Sequence, residues 1–304
     1  MNFRTTFPIP ESDRLLCFGD RVALMGSCFS DRIGQKLRYF GFDVLINPFG
    51  TLFHPMAIAK LLDLDGKTPL RTTQNNGTWL AFEAHSDVSA KSEGALHKVF
   101  EEKRAKLEQY LFQSNLLIIT FGSAWGYYLN EEIVANCHRT PNSKFEKRLT
   151  DLETMQAEWQ RLLKRLREKY PNLDVLFTVS PVRHTKDGFI ENQRSKARLI
   201  ELVHTLDAAY FPSYELQMDD LRDYRFYESD MIHPNCQAVD YIFQHFAQFK
   251  IEPSCQKYFP TIHKFRMFEA HQIQPFDQDR LDEHEQEVAL KRGQLRCQIA
   301  GLCI

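Results

Sequence analysis

The stretch Arg21-Val-Ala-Leu-Met-Gly-Ser-Cys-Phe-Ser-Asp-Arg-Ile-Gly-Gln-Lys-Leu37 decides the fold. Val22 to Met25 is an apolar run long enough for one buried strand, and Gly26 ends it. Ser30 and Asp31 can cap a helix whose apolar face is Ile33, Leu37 and Phe40. A strand that turns into a helix at a glycine is the first unit of an α/β sheet. Ser27 and Cys28 sit on that turn, and both are side chains readily made into nucleophiles. At the carboxyl edge of a sheet such a group is exposed, and nearby backbone N–H groups can hold a developing oxyanion. Near the far end of the chain, Asp230-Met-Ile-His233-Pro-Asn235 precedes another apolar helix. An Asp three residues before a His can orient its ring, so nucleophile, His233 and Asp230 form a three-part acyl-transfer set.

Working outward, strand-like runs alternate with helical ones. Phe42–Ile46, Asn115–Gly122, Asp174–Pro181 and Pro212–Gln217 read as strands. Between them, Met56–Leu62, Glu93–Phe112, Asn192–Ala209 and Cys236–Phe249 have helical spacing, and Thr150-Asp-Leu-Glu153 reads as a capping box opening a helix to Lys169. Trp79-Leu-Ala-Phe-Glu83 reads as an edge strand and Ile133–His138 as an extended piece, while residues 1–20, with Pro8 and Pro10, read as an irregular leader. This alternation predicts an α/β fold with a mostly parallel sheet and helices on both faces. In such sheets ligands sit outside the carboxyl ends of the strands. The turns at 26–28, 47–50, 122–127 and 181–184 all fall at such ends, which points to one site.

The chain has 304 residues and a formal net charge of −2. That charge disfavours nucleic acid or an anionic membrane as partner. The N-terminus lacks the basic-then-apolar pattern of a signal peptide, and no apolar run approaches membrane length. Seven cysteines, none in a Cys-x-x-Cys pair, favour a reducing compartment over disulfides or a structural zinc. The expectation is therefore a cytoplasmic protein without metal or cofactor. In the tail, Asp277–Ile304 reads as a charged helix with Leu281, Val288, Leu295 and Leu302 seven residues apart. That spacing suits either a homodimer through the C-terminal helix or a helix laid back on its own domain.

At these residues the sequence resembles the GSCFA family of the SGNH (GDSL-type) hydrolase superfamily. Gly26-Ser-Cys-Phe-Ser30 looks like the naming motif, with Ser30 where the family often has Ala. Asn47-Pro-Phe-Gly50-Thr, Phe121-Gly-Ser-Ala-Trp125, Asn136-Cys-His138, Ser180-Pro-Val-Arg-His184 and Tyr224–Pro234 also look like family motifs. The resemblance implies a three-layer α/β/α sandwich of the SGNH hydrolase (flavodoxin-like) type, with strand order 2-1-3-4-5. It places the domain over residues 1–250 and leaves 251–304 as a helical C-terminal extension. It also implies hydrolysis of an acyl ester, with an acylated small molecule (a carbohydrate or lipid-like ester) as substrate.

Asp230 and His233 match the superfamily's Asp-x-x-His pair. The superfamily's Gly-x-Ser, laid on Gly26 without a gap, puts Cys28 at the serine, and a one-residue slip restores Ser27. Gly50 can stand for the oxyanion-hole glycine. The asparagine that should follow Gly122 falls on Ala124, and Asn47 is the candidate substitute donor. Losing one such donor costs on the order of 10²–10³ in rate. Gly122, Trp125, Asn136, His138, Arg183 and His184 are the candidate substrate-binding residues, with Trp125 able to stack on a sugar ring and Arg183 and His184 able to meet an anion. The competing readings are an acyltransferase and a catalytically inactive module that binds a carbohydrate or acyl group.

Overall fold

Alternate residues of the first apolar run face opposite sides of one sheet, and this organises the molecule. The structure, a computed structural model, describes residues 5–9, 11–64, 69–271 and 278–304. In chain order β1 (Arg21–Gly26), α1 (Cys28–Tyr39), β2 (Asp43–Ile46) and α2 (Pro55–Leu62) come first. An antiparallel trio follows, β3 (Thr72–Asn75), β4 (Thr78–Ala81) and β5 (Ser89–Ala90), then α3 (Glu93–Phe112) and β6 (Leu116–Phe121). A second antiparallel trio, β7 (Trp125–Leu129), β8 (Glu132–Val134) and β9 (Glu146–Leu149), precedes α4 (Leu152–Lys169). Then come β10 (Asp174–Val179), α5 (Phe189–His204), β11 (Ala209–Phe211), α6 (Ser213–Glu215) and α7 (Cys236–Lys250), and the helices α8 (Pro253–Gln256), α9 (Phe259–Glu269) and α10 (Gln278–Gln298) end the chain.

The central sheet runs β11-β10-β6-β1-β2, with every pair parallel. Counted along its own strands this is the order 2-1-3-4-5. Val22 and Leu24 pack on one side with Phe29, Ile33 and Leu37 of α1 and Val239, Ile242 and Phe246 of α7. Ala23 and Met25 pack on the other with residues of α2, α3, α4 and α5, among them Ile58, Phe100, Trp159 and Leu202. Both faces are covered, so the fold is a three-layer α/β/α sandwich. Among the described residues no helix is long and apolar enough to cross a membrane.

Several expectations are corrected. Pro212–Gln217 is not a strand. The fifth strand is Ala209–Phe211, because Pro212 has no N–H for the ladder and the next residue opens a short helix, with Ser213 Oγ donating to the Val179 carbonyl at 2.7 Å. The helix expected over 192–209 runs Phe189–His204. Asp151, not Thr150, caps α4, accepting from the Thr154 N–H at 2.7 Å. The Thr150 hydroxyl is occupied elsewhere, with His54 Nε2 at 2.8 Å and Tyr128 Oη at 2.6 Å. β4 is the middle strand of its trio, not an edge. The extended piece from Ile133 ends at Val134, and His138 and Arg139 turn through positive φ (49° and 59°).

Three of the four heptad residues of the tail, all but Leu281, serve the chain itself. Val288, Leu295, Ile299 and Leu302 are buried with Ile262 and Phe265 of α9 and pack on Phe18 and Phe40. The Cys303 N–H donates to the Gly41 carbonyl at 2.8 Å. The apolar stripe offered for a homodimer is thus already covered, which leaves that expectation without support. Of the leader, Met1 to Arg4 and Pro10 lie outside the described residues, as does Asp277, the expected start of the last helix.

Candidate active site

Gly26 shows why the turn after β1 needs a glycine. Its φ is +142°, and a Cβ there would lie 2.2 Å from the Thr120 carbonyl oxygen. The bare backbone lets β1 close on β6, and the Ser27 N–H donates to that carbonyl at 3.1 Å. Ser27 is fully buried, and its Oγ caps α1 by accepting from the Phe29 N–H at 3.3 Å. Cys28 is the first residue of α1 and is half-buried. It lines a cavity of about 340 Å³ together with Arg32, Val182, Glu228, Asp230 and His233. Strand β1 and the loop before α7 therefore meet at one rim, and of the two candidate nucleophiles it is Cys28 that faces the pair.

Within that loop Asp230 and His233 are joined at 2.7 Å, Oδ2 to Nδ1. A carboxylate only accepts, so Nδ1 is the donor, and in the neutral ring the lone pair is on Nε2. The Asp230 carboxyl is pulled down to about 2 by the His233 backbone N–H, the His233 ring and the Ile232 N–H, so it stays ionised. The loop is strained at Met231, where φ is +59°. Arg183 holds it: its N–H donates to the Ile232 carbonyl at 3.3 Å and its guanidinium to the Met231 carbonyl. The same guanidinium lies 4.9 Å from the Tyr227 ring centroid. Arg183, expected as an anion ligand, is thus committed to placing the Asp230–His233 loop.

Burial pushes the Cys28 thiol above its ordinary range, and the nearby Asp31 carboxylate adds to this. The side chain is therefore a thiol at neutral pH and needs a base. The expected oxyanion partners are tied up within the fold. Asn47 Oδ1 accepts from the Gly26 N–H at 2.9 Å, and Nδ2 donates to Asp31 at 3.0 Å. The Gly50 N–H donates to the Asn47 carbonyl at 2.8 Å, with φ of +74° and His85 packed against its α-carbon.

The remaining candidates divide. Trp125, Asn136 and His184 line a second cavity of about 380 Å³ with Phe53, Tyr127 and Asn142. Gly122 is not in that lining; a Cβ there would meet Phe53 at 2.8 Å. His138 is not in that lining. Its Nε2 bonds the Ala81 carbonyl at 2.7 Å and its Nδ1 the Ser86 hydroxyl at 3.2 Å, a structural post. Burial lowers the His184 pKa to about 3, with Lys196 and His233 adding to it, so the ring is neutral.

Three groups escaped the reading of the sequence. Lys196, fully enclosed, donates to the carbonyls of Gly122 and Ser180 at 2.9 and 2.7 Å and ties together the ends of β6 and β10. Its signal was present: Asn192, Ser195 and Lys196 form a polar run on the buried face of α5. Arg32, one helical turn after Cys28, and Glu228 line the cavity that holds Cys28 and His233. Arg32 stands in the opening stretch and Glu228 within the Tyr224–Pro234 motif, but neither was singled out for a role.

A parallel α/β/α sandwich with a candidate nucleophile at the end of β1 and an Asp-x-x-His loop before α7 is the architecture that the GSCFA resemblance implies. The GSCFA family model matches residues 21–246. The chain belongs to the GSCFA family. No curated protein matches the sequence. Among solved structures it is similar to the psychrotrophic esterase EstA from Pseudoalteromonas sp., at 13% identity over 76% of this chain and 96% of that one, TM-score 0.38. It is also similar to a carbohydrate esterase family 3 protein from Talaromyces cellulolyticus, at 8% identity over 81% and 99%, TM-score 0.36. A third is an acetyl xylan esterase from the rumen bacterium Butyrivibrio proteoclasticus, at 10% identity over 77% and 64%, TM-score 0.38. Likenesses this distant carry nothing about chemistry.

Proposed function

We propose that the protein hydrolyses an acyl ester through a covalent intermediate on Cys28. The observation that carries this is the sharing of one cavity by Cys28, Asp230 and His233, while Ser27 is spent as a buried helix cap. His233 Nε2 takes the thiol proton as Sγ attacks the acyl carbonyl carbon, and Asp230 holds the resulting imidazolium. The tetrahedral intermediate collapses by breaking the bond to the alcohol oxygen, which receives that proton. Water, deprotonated by the same imidazole, then attacks the thioester and frees the acid and the thiol. The N–H of Cys28, at the first turn of α1, is the donor best placed for the oxyanion.

A second reading is an inactive binding module. The engagement of the Asn47 amide and the Gly50 N–H within the fold favours it, because two expected donors are not presented.

Hydrolysis of p-nitrophenyl esters by single variants separates these readings. Cys28→Ala and His233→Ala should each lose at least about 10³ in kcat, whereas Ser27→Ala keeps turnover and loses stability. Wild-type rates in both Cys28→Ala and His233→Ala would sink the mechanism. Loss in Ser27→Ala with full activity in Cys28→Ala would move the nucleophile. No turnover by the wild type on any ester leaves the binding module.

A further inference from the structure

The segment before β1 runs beside the link between α7 and α8. The Leu16 N–H donates to the Lys250 carbonyl at 2.7 Å, and the Leu16 carbonyl accepts from the Glu252 N–H at 2.9 Å, a parallel bridge to Ile251. Cys17 follows Leu16, and Cys255 lies in α8. Two of the seven scattered cysteines are thus brought to one place by the fold.

Their contact is direct. The Phe18 N–H donates to Cys255 Sγ at 3.4 Å, and the Cys17 and Cys255 side chains are hydrogen-bonded to each other. The Phe18 nitrogen is two bonds from the Cys17 α-carbon. Cys255 Sγ therefore lies within about 6 Å of that carbon, inside the reach of a disulfide. Both sides are held in place. Cys17 opens a tight turn, with its N–H on Asp20 Oδ2 at 2.7 Å, its carbonyl accepting from the Asp20 N–H at 3.1 Å, and Gly19 at φ +95°. The Cys255 N–H donates to the Glu252 carbonyl at 2.9 Å, and its side chain is buried in the same apolar cluster as Phe249 and Ile251.

The pair is asymmetric. Cys17 is exposed and Cys255 is buried, so an oxidant in solution meets Cys17 first. Neither lines the cavity of Cys28 and His233. Partial enclosure of the Cys17 sulfur, the neighbouring Cys255 and the carboxylates of Glu252 and Asp20 all push its thiol above the ordinary range. It is little ionised at neutral pH and reacts slowly, so the pair answers sustained oxidation rather than a brief pulse.

We propose that Cys17 and Cys255 form a reversible disulfide on exposure to hydrogen peroxide, tying the segment before β1 to α8. Cys17 Sγ attacks one peroxide oxygen, the O–O bond breaks and water leaves, giving a sulfenic acid. Cys255 Sγ then attacks that sulfur, the S–O bond breaks, and the hydroxyl departs with the Cys255 proton as a second water. Two thiols lose two electrons and two protons, and the peroxide is reduced to two waters. The bond closes a loop that contains all five strands of the central sheet. A cross-link of this kind acts mainly by restricting the unfolded chain, and more so for a longer loop.

The test incubates the full chain with hydrogen peroxide, alkylates the remaining thiols and digests the product for mass spectrometry without reduction. A Cys17 peptide joined to a Cys255 peptide is expected, lost on adding dithiothreitol and absent in Cys17→Ser. The oxidised protein should melt about 5–10 °C above the reduced one, a shift that Cys17→Ser, altered only at an exposed position, should not show. In Cys255→Ala, Cys17 should stop at the sulfenic acid, which dimedone traps. Oxidation of Cys17 in the unaltered chain without a link to Cys255 overturns the inference. So does a link from Cys17 to Cys297 or Cys303 that forms first, or a linked protein that melts with the reduced one. None of these readings depends on Cys28 or on ester turnover.

Discussion

His54 ties the second cavity to protein stability through pH. Its ring is fully enclosed, with Nδ1 accepting from the Met56 N–H at 3.1 Å and Nε2 facing Thr150 Oγ1 at 2.8 Å and the Ala124 carbonyl at 3.2 Å. Burial lowers its pKa from 6.5 to about 4, against a smaller opposing pull from the Ala124 carbonyl. The unfolded chain therefore takes up this proton before the folded chain does. Stability is complete above about 6.5 and falls as pH drops toward 4, after which this group adds no further loss. At about 1.4 kcal/mol per pH unit, the window is worth about 3 kcal/mol. The perturbation is His54→Asn, which keeps an acceptor for the helix N-terminus and cannot ionise. Urea unfolding at intervals from pH 7.5 to 4 should show the wild type losing about 3 kcal/mol more than the variant across the window. His184 contributes with the same sign in both proteins and cancels in the comparison. Parallel pH curves for the two proteins would refute the reasoning.

The raised thiol pKa of Cys28 predicts slow alkylation by iodoacetamide at pH 7 relative to the exposed Cys236, speeding up in alkali beyond the usual thiol range and sooner in Asp31→Asn. Site-resolved mass spectrometry that finds Cys28 labelled first at pH 7 would contradict this. Gly26→Ala forces a Cβ into the Thr120 carbonyl at positive φ and should cost about 3 kcal/mol or more, read by denaturant unfolding. A loss under 1 kcal/mol, roughly that of an ordinary surface change, would show that the turn relaxes freely. Leu295→Asp places a charge in the seam between α9 and α10 and should lower the melting temperature without changing the molecular mass by light scattering. A halved mass would restore the dimer through the last helix.

Much of the architecture was legible because apolar runs have only one place to go. Val22–Met25, Leu116–Phe121 and Asp174–Val179 are too apolar for an exposed sheet, and the helices between them demand parallel crossovers. Errors fell where the local signal was ambiguous. Pro212-Ser-Tyr has strand-like composition, but the missing N–H of proline and the Ser213 bond to Val179 end the sheet one residue earlier. Thr150 and Asp151 are both good caps, and only the third dimension shows that the threonine hydroxyl belongs to His54 and Tyr128. The heptad of the tail is a true apolar stripe, yet spacing says nothing about whose surface it meets.

At the site, the sequence by itself determined which residue types gather: a candidate nucleophile after β1, an Asp-x-x-His loop before α7, and glycine-marked turns at the strand ends. Those follow from hydrophobic periodicity and turn chemistry, which act between near neighbours. The choice between Ser27 and Cys28 was beyond it, since adjacent residues at a helix start differ only in direction. The tertiary structure separates their positions, because Cys28 lines the cavity shared with Asp230 and His233 while Ser27 is the buried cap of α1. It also decided that Arg183 holds the loop, that Asn47 bridges β1 to α1, and that Lys196 joins two strand ends. Each of these is a contact between segments far apart in the chain, and no local pattern carries the free energy that selects it.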